Sequence, residues 1–127
     1  MKFFFDNNIS IHVVAGMKAF GEDVIHLKEK FPENTPDIEW LKYVGENNLA
    51  LITRDERIRW NPAELSAFQK FKVGAFFLGG KNLDKWKIIQ QVVHNWPRIK
   101  EIAEKTSPPY AFRIPPHGSK FVPIDIC

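Results

Sequence analysis

Four short apolar runs mark the chain up to Leu78: Lys2-Phe3-Phe4-Phe5, Val24-Ile25-His26-Leu27, Leu49-Ala50-Leu51-Ile52-Thr53 and Val73–Leu78. They are apolar almost throughout, whereas a strand with one face in water alternates apolar and polar residues. Between them, apolar residues return at helical spacing. Strands buried on both faces and separated by amphipathic helices predict a parallel sheet covered on each side, an α/β fold.

The punctuation supports this order. Ile9, Val13, Val14, Met17 and Phe20 recur at the period of one helix face until Gly21 stops the run. After the strand at Asp23–Leu27 comes a charged loop. Thr35-Pro36-Asp37 then has the form of a helix cap, a proline in the first turn and an acid beside it, followed by Ile38, Leu41 and Val44. Asn47-Asn48 breaks that helix. Asn61-Pro62 opens the next, through Leu65 and Phe68. Gly79-Gly80 ends the fourth strand, and Asn82 is expected to cap a helix bearing Leu83, Trp86, Ile89, Val93 and Trp96. Pro97 is expected to start another, reaching Lys105.

At 127 residues, one domain is expected. With 44% apolar and 26% charged residues the chain is outside the disordered class. We read residues 1–106 as the domain and residues 107–127, rich in proline, as a C-terminal arm or hairpin packed on it. In that arm Arg113, His117 and Lys120 alternate with Tyr110, Phe112 and Phe121, a pattern that suits clamping single-stranded RNA and suits equally docking on the domain or on a partner. The lone cysteine, Cys127, excludes an internal disulfide and a cysteine zinc site. No apolar stretch is long enough for a signal peptide or membrane span, so a cytoplasmic location is expected. The net charge of +3 suits a polyanionic partner without demanding one.

In an open α/β sheet, ligands bind beyond the carboxyl ends of the strands, where strand order reverses. With the common order 2-1-3-4 the reversal falls between the first and third strands, whose carboxyl ends carry Asp6 and Asp55. The helix opening at Asp37 brings a third acid to the same edge. Carboxylates held together are stabilised by a hard, oxygen-seeking cation such as Mg²⁺ or Mn²⁺. Arg54, Arg57 and Arg59 surround Asp55 with charge suited to phosphate. Each acid also has an ordinary use: Asp6 as a helix cap, Asp37 as a favourable charge in a first turn, Asp55 as a turn residue.

Phe3-Phe4-Phe5-Asp6-Asn7-Asn8, Gly21-Glu22-Asp23-Val24-Ile25-His26-Leu27, Thr35-Pro36-Asp37 and Leu51-Ile52-Thr53-Arg54-Asp55, in that order and spacing, resemble the PIN-like nucleases, in particular their VapC-like toxin branch. The resemblance implies a three-layer fold with a small, mostly parallel sheet, and a metal-dependent endoribonuclease, the toxin of a pair inhibited by a cognate antitoxin. It carries the metal-binding and catalytic acids onto Asp6, Asp37 and Asp55, and Mg²⁺ or Mn²⁺ with them. Asn7, Thr53, Arg54, Arg57 and Arg59 are the expected substrate contacts. The fourth acid of larger relatives has no single counterpart: Glu39, Glu56, Asn61 and Glu64 are the candidates. A homodimer is a further expectation.

His12, His26, His94 and His117 share no metal-binding spacing, and His26 reads as a core or rim residue. The nucleophile-elbow, P-loop and dinucleotide signatures are absent from the sequence. A receiver-like phospho-acceptor domain also places acids after its first and third strands. It needs a hydroxyl after the fourth, where this chain has Phe77-Leu78-Gly79-Gly80. A catalytically silent RNA-binding or interaction module is the third reading.

Overall fold

The computed structural model describes residues 1–126, apart from the side chains of Ile58 and Arg59. Strands β1 (Phe3–Phe5), β2 (Val24–His26), β3 (Ala50–Thr53), β4 (Gly74–Leu78), β5 (Tyr110–Ile114) and β6 (Val122–Pro123) form one sheet in the order β2-β1-β3-β4-β5-β6. The first five strands run parallel and β6 is antiparallel to β5. The expected order 2-1-3-4 is thus the beginning of a wider sheet. Helices α1 (Ile11–Ala19) and α5 (Lys85–Lys105) cover one face; α3 (Asp37–Glu46) and α4 (Pro62–Phe71) cover the other.

The alternation of side chains along a strand divides Phe3-Phe4-Phe5 between the two cores. Phe3 and Phe5 point to α5, with ring centroids 4.6 and 6.0 Å from Trp96. Phe4 points the other way and stacks on Trp40 of α3 at 5.8 Å. All three are fully buried, each contributing about 1.5–3 kcal/mol by leaving water. This packing seats β1 between the two cores.

Local chemistry departs from expectation at several ends. Thr35 does not cap α3: its hydroxyl donates to the Pro32 carbonyl, and Pro36 occupies the cap position. The segment after β2, expected as a loop, begins with a short helix α2 (Leu27–Lys30) capped by His26. His26 Nδ1 accepts from the Lys28 amide, so the proton sits on Nε2, which donates to the Ile9 carbonyl at 2.7 Å. A 3₁₀ turn over Glu56–Trp60 follows Asp55. Asn82 takes a left-handed conformation, and Asp84 caps α5 instead, accepting from the Lys87 amide. Pro97 lies inside α5, not at the start of another helix. The carbonyl it leaves unpaired belongs to Val93, which is exposed together with Pro97, so water can satisfy it.

The C-terminal segment is part of the sheet. Strand β5 pairs along its length with β4, and Gly79 donates to the Ile114 carbonyl at 2.8 Å. The rings of Tyr110, Phe112 and Phe121 lie 5.6, 6.0 and 6.2 Å from Phe76. This segment therefore packs on the rest of the sheet. Among the described residues no helix is long and apolar enough to cross a membrane.

Candidate active site

Strand β1 lies between β2 and β3, so the reversal of strand order sits at its carboxyl end. There the Asp6 amide donates to the Ile52 carbonyl at 2.9 Å, extending the β1–β3 ladder by one bond. The Asp6 carboxylate is buried. Its Oδ1 accepts from the Asn7 amide at 2.6 Å and its Oδ2 from the Thr53 hydroxyl at 2.8 Å and from Asn8 Nδ2 at 3.4 Å. Burial, and the charges of Asp37 and Asp55, nevertheless hold its carboxyl above the usual range, while these hydrogen bonds oppose the shift.

Thr53, expected among the substrate contacts, is completely buried and cannot reach a ligand. It is a positioning residue: its hydroxyl joins Asp6 to the Asp55 amide, 3.0 Å away. Asn8 completes the link, donating to Thr53 at 3.3 Å and accepting from the Arg54 amide at 3.0 Å. The expected contact Asn7 does not take part through its side chain, whose Oδ1 is buried without a partner among the described residues. Adjacent asparagines after an apolar strand announce a turn; they do not say which of the two turns inward.

A second layer of acids comes from the α3–α4 side. Asp37, Asp55 and Glu64 line one open cavity of about 550 Å³ together with Arg57, Trp60 and Asn61. Asp37 accepts from Trp40 Nε1 at 3.1 Å, which fixes it on the first turn of α3. Glu64 lies within hydrogen-bonding reach of Asp37. Burial, that contact and the charges of Asp37 and Asp55 raise its carboxyl to about 7. Of the candidates for a fourth acid, Glu64 is the one that joins the others. Glu39 is exposed on α3, Glu56 is paired with Arg113 at 3.2 Å, and the Asn61 side chain is occupied in capping α4.

The arginines divide. Arg57 grips both oxygens of Asp55, at 2.8 and 3.1 Å, and its hydrogen bonds hold the Asp55 carboxyl below the usual range. Arg54 lies away from the acids, on a different cavity, with Nη2 3.5 Å from the Gly80 carbonyl. The side chain of Arg59 lies outside the described residues.

The donors are oxygens throughout, the set a hard divalent cation selects. The Asp6 and Glu64 carboxyls are raised first by burial and then by the charge of neighbouring acids, a cost that such an ion relieves. The arrangement is open, however. Among the described residues no three acids, histidines or cysteines stand close enough to hold an ion jointly, because Asp6 is turned onto Thr53 and Asp55 onto Arg57.

Residues 1–80 match the family model of the PIN-like domain, so the chain belongs to the PIN-like domain family. PIN domains are generally nucleases, hydrolases of phosphodiester bonds. Comparison with curated proteins and with solved structures found no match.

Proposed function

We propose that the protein is a metal-dependent endoribonuclease, the toxin of a toxin–antitoxin pair. The observation that carries this reading is the convergence of Asp6, Asp37, Asp55 and Glu64 from four elements onto the carboxyl edge of the sheet, with Glu64 raised to about 7 by burial and by its contact with Asp37. Asp37 and Glu64 would hold Mg²⁺ or Mn²⁺, and Asp6 and Asp55 would join them on turning from Thr53 and Arg57 toward the ion. When bound, such an ion activates water and neutralises charge on a phosphate. Thr53 and Asn8 keep Asp6 and the Asp55 loop in register. Arg57, exposed beside the acids, would meet a phosphate oxygen of the substrate.

The toxin role further predicts a cognate antitoxin, which would co-purify with the chain when the two are expressed together. The openness of the acid set favours a second reading, an RNA-binding module without catalysis.

The test is incubation of purified protein with single-stranded RNA and DNA, in Mg²⁺, Mn²⁺ or chelator. Cleavage of RNA is expected only with metal, and Asp6→Asn or Asp55→Asn should each lower the rate ~100-fold or more, since each removes a charged donor. Cleavage that persists in chelator or survives both substitutions would overturn the site. Binding of RNA without cleavage under any metal would establish the second reading.

A further inference from the structure

On the opposite side of the Asp6 turn from the acids lies a larger cavity, of about 830 Å³, between α1 and the amino-terminal half of α5. That volume is within the range of small-molecule sites. Its walls are apolar, led by Ile11, Val13, Ile88 and Ile89. Its charged lining has one sign: Arg54, Lys28 and Lys85, with no aspartate or glutamate among the lining residues. The acid cavity and this one therefore flank the same strand ends with opposite charge.

Arg54 is the residue that points to a ligand. It stands between Thr53 and Asp55, so its backbone belongs to the catalytic turn, yet its side chain lines the basic cavity. A guanidinium has five donors, and here Nη2 makes one long bond to the Gly80 carbonyl, while Nε is buried without a partner among the described residues. A half-buried cation with no acid lining its cavity among the described residues is costly to keep and is satisfied by an anion with several oxygens. Asn7, whose Oδ1 is likewise buried and unpartnered, lines the same cavity. The combination of a planar cation and apolar walls matches a phosphate joined to a ring.

We propose that this cavity is a nucleotide subsite: Arg54 takes a phosphate, and the base enters between α1 and α5. The occupant is one nucleotide of the single-stranded RNA substrate, next to the phosphodiester held at the acids. The inference rests on the nuclease reading for its occupant, but not on cleavage. It gives Arg54 and Arg57 different work, Arg57 at the acids and Arg54 one position along the strand.

The experiment is fluorescence anisotropy of a short labelled oligoribonucleotide in chelator, with wild type, Arg54→Gln and Ile11→Glu; Ile11 is partly exposed on the cavity wall, so its replacement spares the core. Both variants should bind about tenfold more weakly while keeping the wild-type melting temperature, Arg54→Gln by loss of a charge-assisted contact and Ile11→Glu by setting a negative charge on the cavity wall. Nucleoside 5′-monophosphates should compete at millimolar concentration, and ribose 5-phosphate, which lacks the base, should not. A free mononucleotide that binds while the oligonucleotide does not would show the site to serve a small ligand and would overturn the assignment to substrate. Unchanged oligonucleotide binding in both folded variants would overturn it too, as would equal competition by ribose 5-phosphate or displacement only by an acidic apolar peptide. If the protein fails to cleave RNA but the variants lose binding as described, the catalytic reading fails and the subsite stands.

Discussion

Glu64 and Asp37 are carboxyls brought into contact from different helices, and a proton on Glu64 relieves their repulsion. Its carboxyl is raised to about 7, from an ordinary 4.5, so the folded protein holds this proton more tightly than the unfolded chain does. The sign follows: the stability linked to Glu64 is fully present below 4.5 and is lost as pH rises through about 7. Wild type should therefore lose melting temperature between about pH 5 and 8, and Glu64→Gln, which cannot ionise, should lose less. Added Mg²⁺ should raise the melting temperature of wild type at the upper pH by more than that of the variant. Parallel pH profiles for the two proteins would refute the coupling, and an equal response to Mg²⁺ would refute the role of Glu64 in holding an ion. The same scale explains Asn8 and Thr53, whose value lies in pointing other residues; neither side chain is a nucleophile or an acid.

Elements are held in place here by contacts that reach across the sheet edge. Glu22, in the loop after α1, accepts from Lys100 at 2.8 Å and from Trp96 Nε1 at 2.5 Å, both on α5. These bonds, Lys100 first, hold its carboxyl below the usual range. This contribution is present above 4.5 and fades as pH falls through the lowered value, so Glu22→Gln should make the acid limb of the stability profile shallower in chemical denaturation. The effect should be small, because the pair is partly exposed. The β4–β5 junction is tighter. A Cβ at Gly74 would stand 2.3 Å from ring carbons of Tyr110, whose ring is packed on Phe76, so nothing there gives way easily. Gly74→Ala should cost about 1–3 kcal/mol in urea unfolding, and Gly16→Ala, which meets open space on exposed α1, should not destabilise. Equal stability of the two variants would mean that β5 is not seated as described.

At the scale of the whole molecule, the parallel sheet continues past the matched family region into the C-terminal segment. Strand β5 covers the edge of β4, and Tyr110, Ala111, Ile114, Phe121 and Ile126 contribute to both cores. A chain ending at residue 106 would leave β4 with an unpaired edge and open both cores at once. It should be aggregated or unfolded by circular dichroism and gel filtration, whereas a separately docked arm would leave a folded domain behind. The amino acids announced this segment as proline-rich and aromatic, which describes a docked arm and a sheet strand equally well. Only the pairing of Gly74–Leu78 with Tyr110–Ile114, more than thirty residues apart in sequence, separates the two.

Much of the rest was legible. The apolar runs, the helical spacing between them and the Asn61-Pro62 start follow from local preferences, which act over a few residues and survive in the folded chain. The order of the first four strands placed Asp6 and Asp55 on one edge. What local rules cannot express is side-chain direction where elements meet. Whether Glu64, Glu56 or Glu39 joins Asp37 depends on the rotation of α4 against α3. Whether Arg54 turns to the acids or away depends on how α1 and α5 leave a cavity beside β1. The sequence by itself determined the layers, the strand edge and three of its acids; the tertiary structure decided the fourth acid, the division between Arg54 and Arg57, and the merging of the tail into the sheet. Each of these turns on contacts between distant residues, and such contacts are selected by packing the whole core, not by the preferences of any one segment.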